Sequence, residues 1–400
     1  MAKKLSDIVV ISAVRTPMGS FGGSLKKVSS YELGATAIKE AVKRAKIKGE
    51  EVSEVIYGSC RQAGNGPNPS RTASIKAGIP VEIPTNTLNM ACPSGMKAVH
   101  LATEALRLEE SEIVVAGGMD SMSTIPYLLK GARWEGFRMG PKTLEDGWSD
   151  SIDPLTQEGM GHTAENLVEK YSLKREDLDA FAVASHKKAS AAQKNGYFKD
   201  EIVSVEVPAT SKREKSFIFD LDESIRHKAN IENMAKLRPA FRKNGAVTAG
   251  NSCGMTDGAC AVVVTTREKA AEIGATPLFS FVSYAQAAVN PATMGEGPGI
   301  SIPMALKRAN MSLSDIDLIE INEAFAAQVI TNIKTLKLDN IDNLNICGGA
   351  IALGHPTGIS GCRILVTGYY ALKRVDKEFL CASICGGGGV TAATIIKRES

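Results

Sequence analysis

Asn89-Met90-Ala91-Cys92-Pro93-Ser94-Gly95-Met96 is the stretch on which the fold turns. A cysteine is followed directly by proline and then by a helical pattern. Ala98, Leu101, Ala102, Ala105 and Leu106 recur at the i, i+3, i+4, i+7, i+8 spacing of one apolar helix face. Upstream lies a strand-like run, Glu54-Val55-Ile56-Tyr57-Gly58, with Val55 37 residues before Cys92. Downstream lies a second strand-like run, Ile113–Ala116, ending in glycines. The local order is therefore strand, cysteine, helix, strand.

The same order returns in the second half. Asp317-Leu318-Ile319-Glu320-Ile321 reads as a strand, and Leu318 stands 37 residues before His355. Pro356 follows His355 at once, then a stripe of Ile364, Leu365, Ala371 and Leu372, then the strand-like Phe379–Ile384. The first strands also correspond, Ile8–Ile11 with Leu278–Val282. Alternating strands and helices predict an α/β fold of two repeated halves, with parallel sheets sandwiched by helices. Two such halves facing each other would bring Cys92 and His355 to equivalent places. Residues 122–254 interrupt the repeat and hold both tryptophans. The expected division is 1–121 plus 255–273 as the first half, 122–254 as an inserted loop domain, and 274–400 as the second half.

Composition narrows the function. With 400 residues, 44% hydrophobic and 23% charged, the chain has an ordinary globular make-up and ample material for a core. A net charge of +3 with no polybasic run argues against nucleic acid as a partner. No uninterrupted apolar stretch approaches the roughly 18 residues of a membrane span. The run Ile8–Ile11 is too short for a signal peptide. Eight cysteines without CxxC pairs read as reduced thiols, so a cytoplasmic location is expected. Metal-ligand spacing is absent from the motifs, and no metal or organic cofactor is expected. Between 212 and 243, nine Lys/Arg face five Asp/Glu. That cluster is either a solvated surface or a dock for an anionic ligand such as a phosphate.

Four segments carry candidate chemistry. Pro93 fits a first helical position, which would set Cys92 at a helix N-terminus. Free N–H groups and the helix dipole there should ease ionisation of the thiol; core packing is the competing reading. His355 lies in Gly354-His355-Pro356-Thr357-Gly358-Ile359-Ser360-Gly361, whose glycines allow close backbone approach. A histidine can take a proton from a thiol and stabilise a developing oxyanion. Ile384-Cys385-Gly386-Gly387-Gly388-Gly389-Val390 can aim several N–H groups at one spot, as an oxyanion hole requires. A dinucleotide loop is the rival, but the GxGxxG spacing is missing. Asn322-Glu323-Ala324-Phe325-Ala326 follows a strand, where Asn322 could simply cap a helix.

All four segments, in this order and at these separations, resemble the thiolases, and the likeness extends from about residue 8 to residue 396. Arg15-Thr16-Pro17 with Phe21-Gly22-Gly23-Ser24-Leu25 is similar to the family's start. Thr248-Ala249-Gly250-Asn251 and Asp257-Gly258-Ala259 resemble the segment lining its pantetheine tunnel. The resemblance implies a five-layered α-β-α-β-α fold with an inserted loop domain that holds coenzyme A. It implies that Cys92 is acylated, that His355 activates it, and that Cys385 acts as acid and base on the carbon alpha to the thioester. Asn322 would hold a water that forms one oxyanion hole with His355, and the N–H groups of Cys92 and Gly387 would form the other. Arg226 would contact the adenine end, while Ala249, Cys253, Met160, Met294 and Phe325 would bind the pantetheine or the acyl group. The implied substrates are acetyl-CoA, CoA and short 3-ketoacyl-CoA, and the implied assembly is a homodimer or homotetramer, with 125–145 resembling the loop that joins dimers.

Three positions depart from the pattern. Cys253 stands where many short-chain members have serine, Gly159 where they carry histidine, and Thr391 where glycine is usual. The first two bear on acyl-chain preference, and a broader-chain degradative thiolase is the alternative reading. Ketoacyl and hydroxymethylglutaryl-CoA synthases resemble thiolases in the cysteine and histidine, but Cys385 and Asn322 argue against them. A non-catalytic acyl-CoA binder on the same scaffold would release no thiol from acetyl-CoA.

Overall fold

The computed structural model describes residues 3–148, 152–209 and 215–399. Residues 212–214, the start of the basic cluster, lie outside them. One ten-stranded sheet runs through the described residues. In the first half its strands are β1 (Ile8–Arg15), β2 (Glu54–Gly58), β3 (Thr85–Leu88), β4 (Ile113–Ser121) and β5 (Thr256–Thr266). In the second they are β6 (Phe279–Ala288), β7 (Leu318–Ile321), β8 (Phe379–Cys385) and β9 (Val390–Arg398). The short Gly19–Ser20 strand pairs with β5.

The strand order is β7-β8-β9-β6-β1-β5-β4-β2-β3. Reading outward from the β6–β1 junction, β1-β5-β4-β2 mirrors β6-β9-β8-β7, so the repeat survives as topology. The junction itself is two residue pairs, Val9 with Ser280 and Val10 with Phe279. The expectation of parallel sheets is corrected. Only β2–β3, β2–β4 and β7–β8 are parallel, while β1–β5, β4–β5, β6–β9 and β8–β9 are antiparallel. The reason lies in the connections. β8 turns back into β9 through the glycines 386–389, and a tight turn can only join antiparallel neighbours. Between the equivalent strands β4 and β5 the chain makes its long excursion instead.

Seven helices position the site: α1 (Ser30–Arg44), α2 (Pro69–Lys76), α3 (Ser94–Arg107), α4 (Met160–Lys170), α5 (Pro298–Ala309), α6 (Ala326–Leu336) and α7 (Ser360–Val375). Local sequence explains where they start. Ser29 accepts from Glu32 N while Glu32 accepts from Ser29 N, a capping box that opens α1.

Alternation along each strand sorts the layers, because successive side chains point to opposite faces. Val9, Val115 and Val263 pack under α1 and α2. Their neighbours Val10, Val114 and Val262 face α3 and α7. From the second half, Leu380, Ala382 and Ile396 reach the same central layer, while Cys381 and Ile395 turn outward to α5 and α6. The result is five layers, helix-sheet-helix-sheet-helix. The two helices that follow Cys92 and His355 share the middle layer. A β-carbon on Gly95 of α3 would stand 2.8 Å from Gly358 O, and one on Gly361 of α7 would stand 2.8 Å from Met96 N. Side chains there would force the two helix starts apart.

The inserted segment is anchored to this core by a buried cation. Arg15, at the end of β1, donates to Glu201 at 2.7 Å and to both oxygens of Asp222 at 2.7 and 2.8 Å. Thr367 of α7 adds a hydrogen bond to Glu201.

Candidate active site

The turn before α3 aims Cys92. Ala91 sits at φ 52°, a left-handed conformation that costs a non-glycine residue about 1–3 kcal/mol. Ser94 holds it there: its hydroxyl accepts from Met90 N at 2.8 Å and donates to Ala91 O at 2.6 Å. Asn89 adds an acceptor for Ala91 N at 2.9 Å. α3 begins at Ser94 with Pro93 as its capping residue, so the proline lies one position earlier than expected.

The N–H groups of Gly387 and of Cys92 itself point at the Cys92 sulfur. Gly386 makes this possible, since a β-carbon there would stand 2.6 Å from Pro93 Cδ and 3.1 Å from Cys92 N. Even so, burial outweighs these donors and the Arg61 charge, and pushes the thiol up to about 11. The expectation of an easily ionised thiol is thus corrected. A helix terminus eases ionisation only where solvent or a close cation completes the solvation of the anion; here apolar walls dominate.

His355 is 4% exposed. Its Nδ1 lies 2.6 Å from Ser360 Oγ, and that hydroxyl donates to Pro356 O at 3.1 Å. A serine hydroxyl has one hydrogen, so it must accept from His355. The imidazole therefore carries its proton on Nδ1 and offers a lone pair at Nε2, which has no protein partner. Burial, with the charges of Arg363 and Arg61, holds the imidazole down at about 3. Thiol and imidazole are both neutral at rest.

Asn322 directly follows β7 and is fully buried. It does not cap α6, whose capping position is Phe325. Arg363 donates to its Oδ1 at 3.5 Å, which leaves the Nδ2 donor without a protein partner. Cys385 ends β8 and packs in one apolar cluster with Met160, Met294 and Phe325. Burial, with Cys92 and Cys253 as neighbours, drives its thiol far above the usual range. Thr391, opposite Cys385 in the β8–β9 register, is accommodated by Gly297, where a β-carbon would stand 2.6 Å from Thr391 Cβ.

A cavity of about 900 Å³ gathers Cys92, His355, Gly387 and Cys253 with Met160, Met294 and Phe325. Cys385 and Asn322 are not among its lining residues, but Cys385 has Cys92 and Cys253 of that lining as neighbours. Arg226 and Ala249 are at the surface, joined by a hydrogen bond from Arg226 Nη2 to Ala249 O at 3.5 Å. The chain between is continuous: Thr248, Asn251 and Ser252 hydrogen-bond among themselves, and Ser252 and Cys253 reach the cavity wall. Burial raises the Cys253 thiol to about 12, so it faces the cavity as a neutral polar group.

Several wall residues escaped the sequence reading. Cys60 and Arg61 line the cavity, and Arg61 stacks on Trp148 with 4.6 Å from guanidinium to ring centre. His162 also lines it, with its Nδ1 3.7 Å from where a β-carbon on Gly159 would be. An imidazole one turn along α4 thus occupies space beside the glycine. That signal was present in the sequence, as the only histidine near the Gly159 departure.

Known proteins can now be set beside this geometry. The family profile described as "Thiolase, N-terminal domain" matches residues 8–268, and "Thiolase, C-terminal domain" matches 275–398. An acetyl-CoA acetyltransferase of Cupriavidus necator is 48% identical over 397 residues, covering 99% of this chain and 100% of its own. The crystal structure of the Bacillus anthracis acetyl-CoA acetyltransferase superposes with a TM-score of 0.95 at 43% identity, over 98% of this chain and 99% of that one. Human mitochondrial 3-ketoacyl-CoA thiolase in complex with CoA gives 0.94 at 37%, over 99% of each chain. With both profiles spanning nearly its whole length and its site built at the junction of the two halves, the chain belongs to the thiolase family.

Proposed function

We propose that this thiolase is an acetyl-CoA C-acetyltransferase that joins two acetyl-CoA into acetoacetyl-CoA and cleaves short 3-ketoacyl-CoA in reverse. The observation that carries the mechanism is the pairing, in one cavity, of a neutral thiol under two N–H donors with an imidazole whose Nε2 is open. Because neither group is ionised at rest, attack and proton transfer are coupled. Cys92 Sγ bonds to the thioester carbon as its proton passes to His355 Nε2, and the carbonyl oxygen takes up charge under the N–H groups of Cys92 and Gly387. The departing CoA thiolate recovers the proton from His355. The acetyl group stays on sulfur as a thioester, which conserves its reactivity for the next step.

Cys385 first gives its proton to His355 Nε2, and the resulting thiolate takes a proton from the methyl carbon of a second acetyl-CoA. Its enolate oxygen is stabilised by the N–H now carried at Nε2 of His355 and, through a water, by Nδ2 of Asn322. The carbanion attacks the acetyl carbonyl, the bond to Cys92 Sγ breaks as that sulfur takes the proton from His355 Nε2, and acetoacetyl-CoA leaves. Met160, Met294 and Phe325 bound a narrow acyl space, Cys253 faces the pantetheine, and Ala249 and Arg226 mark the outer, nucleotide end. No further cofactor enters this scheme.

The same reading extends to assembly and location. The 125–145 segment exposes Tyr127, Trp134, Phe137, Met139 and Leu144, an apolar surface suited to joining dimers into a tetramer. All eight cysteines are free thiols, in keeping with a reducing cytoplasm. Acetoacetyl-CoA formation from acetyl-CoA, with thiol release, tests the function; thiol release without a condensed product contradicts it.

A further inference from the structure

Asp120, one residue before the end of β4, is fully buried and divides its two carboxylate oxygens between the two halves of the fold. Oδ1 accepts from Ser59 Oγ at 3.2 Å and from the N–H groups of Cys60 and Arg61, both at 3.0 Å. Oδ2 accepts from Thr357 Oγ1 at 2.9 Å and from Gly358 N at 2.5 Å. The first loop bears on the nucleophile, because Cys60 Sγ donates to Ala91 O at 2.9 Å and lies 3.5 Å from Ser94 Oγ. The second loop is the one that carries His355. Asp120 thus holds the His355 turn directly and the Cys92 turn through Cys60.

We propose that Asp120 is a positioning residue for the acyl-transfer step, setting the approach of His355 Nε2 to Cys92 by holding one loop with each oxygen. The proposal rests on the reading that His355 activates Cys92. Charge and symmetry of the carboxylate both matter. Five donors converge on it, so a carboxyl hydrogen would have no acceptor among them, and the ionised form suits the site. An asparagine would present its NH2 group to one loop's N–H donors, whichever way the amide turned. Gly358 is fitted to this contact, since a β-carbon there would stand 2.8 Å from Asp120 Oδ2. Misplacing a catalytic pair by about 1 Å can lower a rate on the order of 10²-fold.

The test compares Asp120→Asn, Asp120→Glu, Thr357→Val and His355→Ala in the full-length protein. Acetylation of Cys92 by acetyl-CoA is timed by mass spectrometry, kcat and KM are measured, and melting temperatures are recorded. For Asp120→Asn we expect acetylation and kcat to fall about 10²-fold with KM changed less than about threefold. Asp120→Glu should recover part of that loss by restoring the charge and both acceptors. Thr357→Val removes one donor on the His355 side alone; it should slow acetylation several-fold with little change in melting temperature, and it decides the matter if the Asp120 variants do not fold. Slow acetylation in His355→Ala combined with normal rates in Asp120→Asn, or in Thr357→Val where Asp120→Asn cannot be purified, overturns the proposal. Normal acetylation in His355→Ala would instead overturn the reading on which it rests.

Discussion

Gly386 lies against the backbone nitrogen of Cys92, so near that a β-carbon on it would stand 3.1 Å away. The contact fixes the distance between the strand-end loop of the second half and the nucleophile turn of the first. It is also what lets Gly387 N–H reach the Cys92 sulfur.

Gly386→Ala should therefore lift the glycine loop off Cys92 and lose the Gly387 donor. Removing one oxyanion donor typically lowers kcat by roughly 10²–10³-fold. Steady-state kinetics should show that loss in kcat, and a variant within a few-fold of wild type would mean the loop does not serve the oxyanion.

Ionisation gives a second prediction. With the Cys92 thiol pushed up to about 11 and the His355 imidazole held down at about 3, a neutral thiol–imidazole pair is expected at neutral pH. A raised thiol pKa means the thiolate fraction grows with pH throughout the neutral range. Alkylation of Cys92 by iodoacetamide should rise about tenfold per pH unit between roughly pH 6 and 9. A plateau below pH 7 would reveal a preformed thiolate.

How much of this was legible beforehand differs by element. Cys92 and His355 could be found because each precedes a proline, a helix stripe and a strand at matching separations. The sheet directions could not, since strand-helix alternation says nothing about the β8–β9 turn or about where β5 returns. Ionisation of Cys92 was misjudged for a related reason. The helix terminus is local and readable, whereas the apolar walls come from Met160, Met294 and the glycine loop, far along the chain. Asp120 was invisible because its partners, Ser59 to Arg61 and Thr357 to Gly358, lie in two remote loops.

Stability should hinge on the Arg15 ion cluster. Arg15, Glu201 and Asp222 are all essentially excluded from solvent. Asp222→Ala removes the bidentate partner and leaves a buried, half-paired guanidinium, which typically costs about 3–5 kcal/mol. Urea or thermal denaturation should register that loss, and an unchanged midpoint would show the cluster to be dispensable.

Chain-length preference should follow the acyl wall. Met294 is 3% exposed and packs with Met160, Phe325 and Cys385. Met294→Ala should raise kcat/KM for six- to eight-carbon 3-ketoacyl-CoA by about tenfold relative to acetoacetyl-CoA. Thiolysis assays across chain lengths will decide. If wild type already prefers eight carbons or more, the narrow-pocket assignment fails.

The division of labour between the two thiols is the centre of the account, and one substitution addresses it. Cys92 and His355 suffice for acylation, whereas condensation also needs a base at the alpha carbon. Cys385→Ala exposed to acetyl-CoA should gain one acetyl group on the peptide that contains Cys92, as read by mass spectrometry. Its condensation rate should fall by roughly 10²–10⁴-fold, the usual contribution of a general base. An acetyl group on a peptide lacking Cys92, or condensation at the wild-type rate, would contradict the assignment.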